Sequence, residues 1–215
     1  MSSAIEAPVI LDPNEGLNWM NLREHLLRRL LLPESAQFLD GRDPEDAATK
    51  MSVNVLKAFV GFPQPVTLVE GVTLLRGTSF RDPYEKRNDP FGGWWFPEGL
   101  LLEIRDQFEG GSLPHRSRSD GVREELRSSL ALSDNFSDLE QLWCIRLKAG
   151  AKLTGLEGLA SPQPVDSSLE GSLLNMGNFT GGAWQYYFPN IPKDPVEQYP
   201  LRLLEGTWMG KRLLR

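Results

Sequence analysis

The chain has 215 residues, of which 40% are hydrophobic and 24% charged, as in a globular protein with one buried core. Its formal charge of −6 argues against a nucleic-acid-binding protein, which normally carries a basic face. One cysteine and two histidines exclude an internal disulfide and a zinc site built from Cys and His. "MSSAIEAPVILDPNEG" lacks the features of a signal peptide, and "LLRRLLL" is too short and charged to span a membrane. We therefore expect a cytoplasmic product with no membrane partner, whose export as an effector would need a non-classical route.

The first sixty residues predict helices. Apolar residues recur at helical spacing over residues 14–32. A second helix is expected after Asp43, because aspartate is a preferred N-cap and Pro44 suits the first helical position. We expect residues 1–62 to form a helical segment that packs on the rest of the chain, with a partner-binding arm as the alternative.

Strand-forming sequence dominates from residue 66 onwards. "VTLVEGVTLLRGTSF" predicts a hairpin or a bent strand, "WWF" a short strand and "PEGLLLEIRDQF" a helix. "LWCIRL", "WQYYF" and "LRLLEGTWM" predict later strands, whereas the polar "GGSLPHRSRSDGVREELRSS" predicts a solvated loop. The fold class is therefore α+β, with N-terminal helices on a mostly antiparallel sheet or split sheet formed by residues 63–215.

Three short segments carry the residues that suggest chemistry. "LLRGTS" places Arg76 late in a strand, "FGGWWFPEG" joins a glycine pair to an aromatic strand, and "GGAWQYYF" centres on Gln185. The P-loop, GxGxxG, HExxH and GxSxG motifs are absent from the sequence. These three segments are the candidate site.

Together the segments resemble the ADP-ribosyltransferase-like superfamily, whose members cleave the nicotinamide–ribose bond of NAD. "GGAWQ" is similar to the Gly-Gly-x-x-Gln pattern of necrotizing-toxin-type NAD glycohydrolases, although Trp184 is bulky where those toxins often carry a small residue. "FGGWWF" gives a weaker similarity to RES-domain toxins. The resemblance covers residues 66–205 and implies a split sheet, NAD as substrate, a toxin or effector role, and a protein target or immunity protein as partner.

The resemblance also assigns roles to individual residues. Arg76 would bind the pyrophosphate and Gln185 the ribose hydroxyls, both as catalytic residues. An amide cannot act as a general base, so hydrolysis is favoured over ADP-ribosyl transfer to a protein. The other residues predicted to contact NAD lie in or beside the same segments: Gly77, Thr78, Arg81, Trp95, Phe96 and Tyr187.

Each of these residues also has a structural explanation. Arg76 could form a salt bridge on the sheet, the tryptophan rings could belong to the core, and Gln185 could be an ordinary strand residue. A buried amide then needs a partner, for which Tyr187 on the same strand face is a candidate. In that case the chain is a non-enzymatic binding module, of effector or immunity type, with its aromatic clusters as the interface.

Overall fold

The computed structural model describes residues 12–78, 93–109, 115–132, 139, 141–162, 181–191 and 196–202. In these ranges the chain forms helices and strands in the order α1 (Leu22–Leu30), a 3₁₀ turn (Pro33–Ser35), α2 (Ala36–Leu39), α3 (Pro44–Lys57), β1 (Gln64–Val69), β2 (Thr73–Thr78), β3 (Trp94–Pro97), α4 (Glu98–Glu109), α5 (His115–Ser129), β4 (Gln141–Leu147), β5 (Lys152–Leu159), β6 (Trp184–Tyr187) and β7 (Val196–Arg202). The predicted α+β class is confirmed. None of the helices in these ranges is long and apolar enough to cross a bilayer.

The described strands form one antiparallel sheet in the order β1-β5-β6-β3-β2-β4-β7. β1 and β2 are joined by residues 70–72 alone, yet β1 pairs with β5 and β2 pairs with β3 and β4. The hairpin alternative is therefore wrong, whereas two strands that run in the same direction on either side of a three-residue bend agree with the bent-strand alternative. The short link carries the chain from one half of the sheet to the other, and Gly71 N donates a 3.2 Å hydrogen bond to Leu147 O at this corner.

The two faces of the sheet are covered differently. On the helical face, α4 and α5 pack on Leu75, Phe96 and Cys144, while α1 and α3 pack on Leu156 and Tyr187. The opposite face buries a second cluster, to which the described helices contribute no residue: Leu68, Leu74, Trp95, Ile145, Leu147, Ala151, Leu153 and Phe188. The N-terminal helices thus share a core with the sheet, and the proposed boundary between residues 62 and 63 stays a prediction.

The polar segment predicted to be a loop instead forms α5, His115–Ser129. Val122, Leu126 and Leu130 recur every fourth residue and are all buried against the sheet. This narrow apolar stripe is enough to bury one side of a helix whose other positions are mostly polar. The prediction of a solvated loop was wrong because it followed the polar composition of the segment and overlooked the helical spacing of its few apolar residues.

Three glycines in or next to the strands make room for Phe188 and Phe59. A Cβ on Gly155 would lie 2.4 Å from the ring of Phe188, and a Cβ on Gly158 would lie 2.9 Å from the ring of Phe59. A Cβ on Gly93 would lie 2.1 Å from the backbone oxygen of Phe188. The packing of the Phe188 and Phe59 rings therefore depends on glycine at Gly155 and Gly158, and Gly93 allows the close approach of the Phe188 backbone.

Candidate functional site

Gln185 lies in β6 with only 7% of its surface exposed. Its Nε2 donates a 2.7 Å hydrogen bond to the carbonyl oxygen of Ala58, the C-cap residue of α3. The same oxygen accepts a 2.8 Å hydrogen bond from Ser161 N. The amide therefore ties the end of α3 to the middle of the sheet.

The register does not bring Gln185 and Arg76 together. Arg76 follows Leu75 in β2, and consecutive strand residues point to opposite faces. Leu75 packs in the cluster under α4 and α5, so Arg76 points to the face without helices. Gln185 shares its face with Tyr187 and bonds to the end of α3, so it lies on the helical face.

A different set of side chains shares the face of Arg76. Tyr186 pairs with Trp95 on one side and with Glu157 on the other. Leu75 pairs with Phe96, and continuing that register by one residue sets Arg76 beside Trp95. Arg76, Trp95, Tyr186 and Glu157 thus form one row across β2, β3, β6 and β5, which we call the site row.

The site row combines two opposite charges with two aromatic rings. Strands about 4.8 Å apart put the Cα atoms of Arg76 and Glu157 no more than about 14 Å apart, with both rings between them. Burial raises the pKa of Tyr186, and the nearby carboxylate of Glu157 raises it further. Arg76 is half-buried and interacts with other groups of the protein.

Trp95 contributes a polar group that the rest of the described chain leaves unsatisfied. Its ring is 7% exposed, and its Nε1–H is buried with no hydrogen-bond acceptor among the described residues. A buried donor without an acceptor costs about 1–3 kcal/mol. An acceptor atom supplied by a ligand would recover this free energy.

The remaining predicted site residues are divided between the two faces. Phe96 and Tyr187 lie on the helical face with Gln185, whereas Trp95 lies on the opposite face, as its alternation with its neighbours predicted. Gly77 pairs with Leu142, and Thr78 is the last residue of β2. Arg81 lies outside the described residues.

Sequence reasoning singled out neither Tyr186 nor Glu157 as a site residue, and the local sequence around Glu157 is unusual. Glu157 stands in "TGLEGL" within β5, between the buried Leu156 and Gly158. A charged residue inside a strand whose neighbours are apolar or glycine is uncommon, since strand interiors favour β-branched and aromatic residues. This charge within an otherwise apolar strand was the feature of the sequence that could have pointed to Glu157.

Burial also shifts the pKa of two other ionisable groups on the sheet and beside it. Burial raises the pKa of the Cys144 thiol to about 11, so the thiol stays protonated at neutral pH. Burial also raises the pKa of Glu98, and the guanidinium of Arg146 partly opposes that shift. Within the described residues, no three His, Cys, Asp or Glu side chains are placed to hold a metal ion.

No family model matches the chain, and no curated protein matches it significantly. Among solved structures, it is similar to a chain in the complex of Rhs1-CT with its cognate immunity protein RhsI1. The two chains are 18% identical, with a TM-score of 0.38, over 67% of this chain and 83% of that chain. The matched chain of that complex is thus a weak structural neighbour, too distant to assign a fold type or an activity.

Proposed function

We propose that the chain is an NAD glycohydrolase of the ADP-ribosyltransferase-like type and that the site row binds its substrate. The observation that supports this proposal is the pairing of Trp95 with Tyr186 and of Tyr186 with Glu157, together with the position of Arg76 directly after Leu75, which pairs with Phe96. A guanidinium, two aromatic rings and a carboxylate are the groups that a pyrophosphate, a base and a ribose require.

Each group has a defined task in the reaction. Arg76 binds the pyrophosphate, and the indole N–H of Trp95 donates a hydrogen bond to an oxygen of the substrate. The bond between the nicotinamide nitrogen and ribose C1′ breaks, and its electron pair leaves with nicotinamide. Glu157 stabilises the oxocarbenium-like ribose and accepts a proton from the water that adds to C1′. The products are nicotinamide, ADP-ribose and a proton.

This proposal changes the role of Gln185. Sequence reasoning gave Gln185 the ribose hydroxyls, whereas here the carboxylate of Glu157 takes that contact. Gln185 becomes a positioning residue, because its bond to Ala58 fixes the strand that carries Tyr186. A carboxylate, unlike the amide of Gln185, can act as a general base for either water or a protein nucleophile. The assay therefore has to distinguish free ADP-ribose from ADP-ribose attached to protein.

The test is incubation of the full chain with NAD while nicotinamide and ADP-ribose are quantified by liquid chromatography. Glu157→Gln keeps the size of the side chain and removes its charge, so we expect kcat to fall about 10²–10⁴-fold. Arg76→Lys should raise KM, because a lysine cannot make a bidentate contact with phosphate. Glu103→Gln, at an exposed position of α4, is the matched control and should leave both constants unchanged.

Two results would overturn the proposal. One is the absence of nicotinamide release at enzyme concentrations equal to that of NAD. The other is a Glu157→Gln variant that turns over like the wild type. ADP-ribose attached to protein in place of free ADP-ribose would instead identify a transferase. Because NAD loss stops growth, active protein should also arrest a bacterial host, which is the toxin role that the resemblance implies.

A further inference from the structure

The first strand, β1, lies at one edge of the sheet. Among the described strands it pairs with β5 alone, through six consecutive residues. Gln64, Pro65, Thr67 and Val69 are exposed along it. The outer side of an edge strand presents backbone N–H and C=O groups that can pair with a strand from another chain.

This edge lacks the charged side chains that usually keep edge strands apart. Residues 60–69, "VGFPQPVTLV", are all uncharged, although 24% of the chain is charged. Phe62, just before the strand, is 64% exposed and its ring stacks on that of Trp19 at 4.3 Å, and Val69 at the end of the strand is 50% exposed. An uncharged edge with exposed apolar side chains at both ends favours association through the strand.

The proline in β1 indicates which backbone groups face outward. Pro65 pairs with Leu156 but has no N–H, so it fits the strand where its nitrogen faces away from β5. The hydrogen-bonding direction alternates along an antiparallel strand, so Thr67 and Val69 also turn their N–H and C=O groups outward. Val69 O already accepts a 3.4 Å hydrogen bond from Val72 N. The groups left for a further strand are the N–H of Thr67 and Val69 and the C=O of Pro65 and Thr67.

The sequence of β1 complements itself when the strand pairs antiparallel with a second copy. Pairing centred on Thr67 sets similar residues opposite each other: Thr67 and Thr67, Val66 and Leu68, Pro65 and Val69, Gln64 and Glu70. The carboxylate of Glu70 then faces a neutral amide, so no two like charges are opposite each other. In this register Thr67 N–H meets Thr67 C=O of the second copy, and Val69 N–H meets Pro65 C=O. The missing N–H of Pro65 faces the Val69 oxygen that Val72 already satisfies.

We propose that two copies of this chain join their sheets edge to edge through antiparallel pairing of β1 with β1, centred on Thr67. Such an interface is isologous, because both copies use the same patch and the contacts occur twice. The exposed Phe62 of each copy adds apolar area at each end of the paired strands. One strand pair is smaller than a standard protein interface, so the dimer dissociates reversibly. The inference is independent of NAD cleavage.

The test is sedimentation equilibrium of the full chain over a range of protein concentrations. We expect the wild type to show a reversible equilibrium between monomer and dimer. Thr67→Lys sets two lysines directly opposite each other and should raise the Kd of the dimer at least about tenfold, because like charges opposite each other repel. Asn54→Lys adds the same charge at an exposed position of α3 and should leave the Kd unchanged.

Cysteine cross-linking tests the register of the two strands. With Thr67 opposite its own copy, the two Cα atoms lie about 5.5 Å apart, which a disulfide can bridge. Val69 lies opposite Pro65, so the two copies of Val69 are about 14 Å apart, too far for a disulfide. Thr67→Cys should therefore form a disulfide-linked dimer under mild oxidation, and Val69→Cys should not. The native Cys144 is buried and does not interfere.

A second charge variant separates dimerisation from folding. Thr67→Lys loses the 3.0 Å hydrogen bond between the Thr67 and Thr154 hydroxyls, whereas Gln64→Glu keeps it, and thermal melts show whether each variant folds. Gln64→Glu sets a second carboxylate opposite Glu70 and should weaken the dimer about twofold to tenfold. A wild type that stays monomeric, a dimer that neither charge variant weakens, or cross-linking of Val69→Cys but not of Thr67→Cys would each overturn the proposal. A monomeric wild type would leave this edge to a strand of a different protein.

Discussion

Replacing Gln185 with alanine tests whether its amide stabilises the fold. The variant loses the 2.7 Å hydrogen bond to Ala58 O at a position that is 7% exposed. Ala58 O keeps its hydrogen bond from Ser161 N, so the carbonyl is not left unpaired. The loss is therefore that of one buried hydrogen bond and part of a side chain, about 1–2 kcal/mol in the free energy of unfolding. For a chain of this length each kcal/mol corresponds to about 2–4 °C in Tm.

The assay is thermal and urea unfolding followed by circular dichroism, with Gln64→Ala as the matched control. Gln64 is exposed on the edge strand β1, so its substitution should change stability by less than about 0.5 kcal/mol. Gln185→Glu sharpens the test, because a carboxylate facing a carbonyl oxygen should be costlier than alanine at pH 7. Burial and the carbonyl would raise the folded-state pKa of that glutamate above its unfolded value. The Gln185→Glu variant should therefore be most stable at low pH and lose stability as the pH rises from the unfolded-state pKa through the folded-state pKa of that glutamate.

The structural role of Gln185 would be refuted by one result. If Gln185→Ala unfolds with the wild-type midpoint while Gln185→Glu loses no stability between low and neutral pH, the bond to Ala58 contributes nothing. A loss of NAD turnover in Gln185→Ala would then point back to a direct contact with substrate.

Two further predictions follow from the packing and the charges of the sheet. Gly155→Ala should lower the free energy of unfolding by about 1–3 kcal/mol, because the new Cβ would lie 2.4 Å from the Phe188 ring. Gly99→Ala is the control, since the space around its Cβ is open. Equal stability of the two variants would show that the strand tolerates a side chain at Gly155. The raised pKa of Tyr186 means that its contribution to stability is present below the ordinary tyrosine pKa and is lost as pH rises through the folded value. Glu157→Gln should lower the pKa of Tyr186 without restoring its ordinary value, since burial is the larger cause of the shift. The measurement is an NMR titration of Tyr186. An unchanged pKa in the variant would show that Glu157 does not act on the Tyr186 hydroxyl.

Local signals in the sequence predicted much of the secondary structure. Asp43 caps α3 as expected, with its Oδ2 accepting a 3.0 Å hydrogen bond from Asp46 N. The alternation in "LWCIRL" predicted β4, and "PEGLLLEIRDQF" predicted α4 within a residue or two. The first helix is shorter than its apolar pattern, because Asn14 instead donates 2.9 and 2.8 Å hydrogen bonds to the carbonyls of Thr154 and Asn190. Short-range patterns therefore fail where a distant contact competes with them.

The sequence of any one segment does not tell which side chains of different strands lie together on one face of the sheet. Alternation along β2 and β6 tells which residues share a face with one another, but not which face the helices cover. That choice is fixed by the helices, because α5 packs on Cys144 and α3 packs on Leu156 from a distant part of the chain. One residue of offset moves a side chain to the other face. Sequence reasoning grouped Arg76 and Trp95 with Gln185, whereas the sheet places Glu157 on the face of Trp95 and Gln185 on the helical face.

The two faces of the sheet also differ in what can reach them. On the helical face, the space around Gln185 is filled by the end of α3 and by the rings of Phe59 and Tyr187. On the opposite face, the described chain covers β6 less completely, because Trp184 is half exposed and Tyr186 is partly exposed. A substrate can approach only where side chains meet solvent. For this reason we propose Tyr186 and Glu157, and not the buried amide of Gln185, as the residues of this strand pair that contact the substrate.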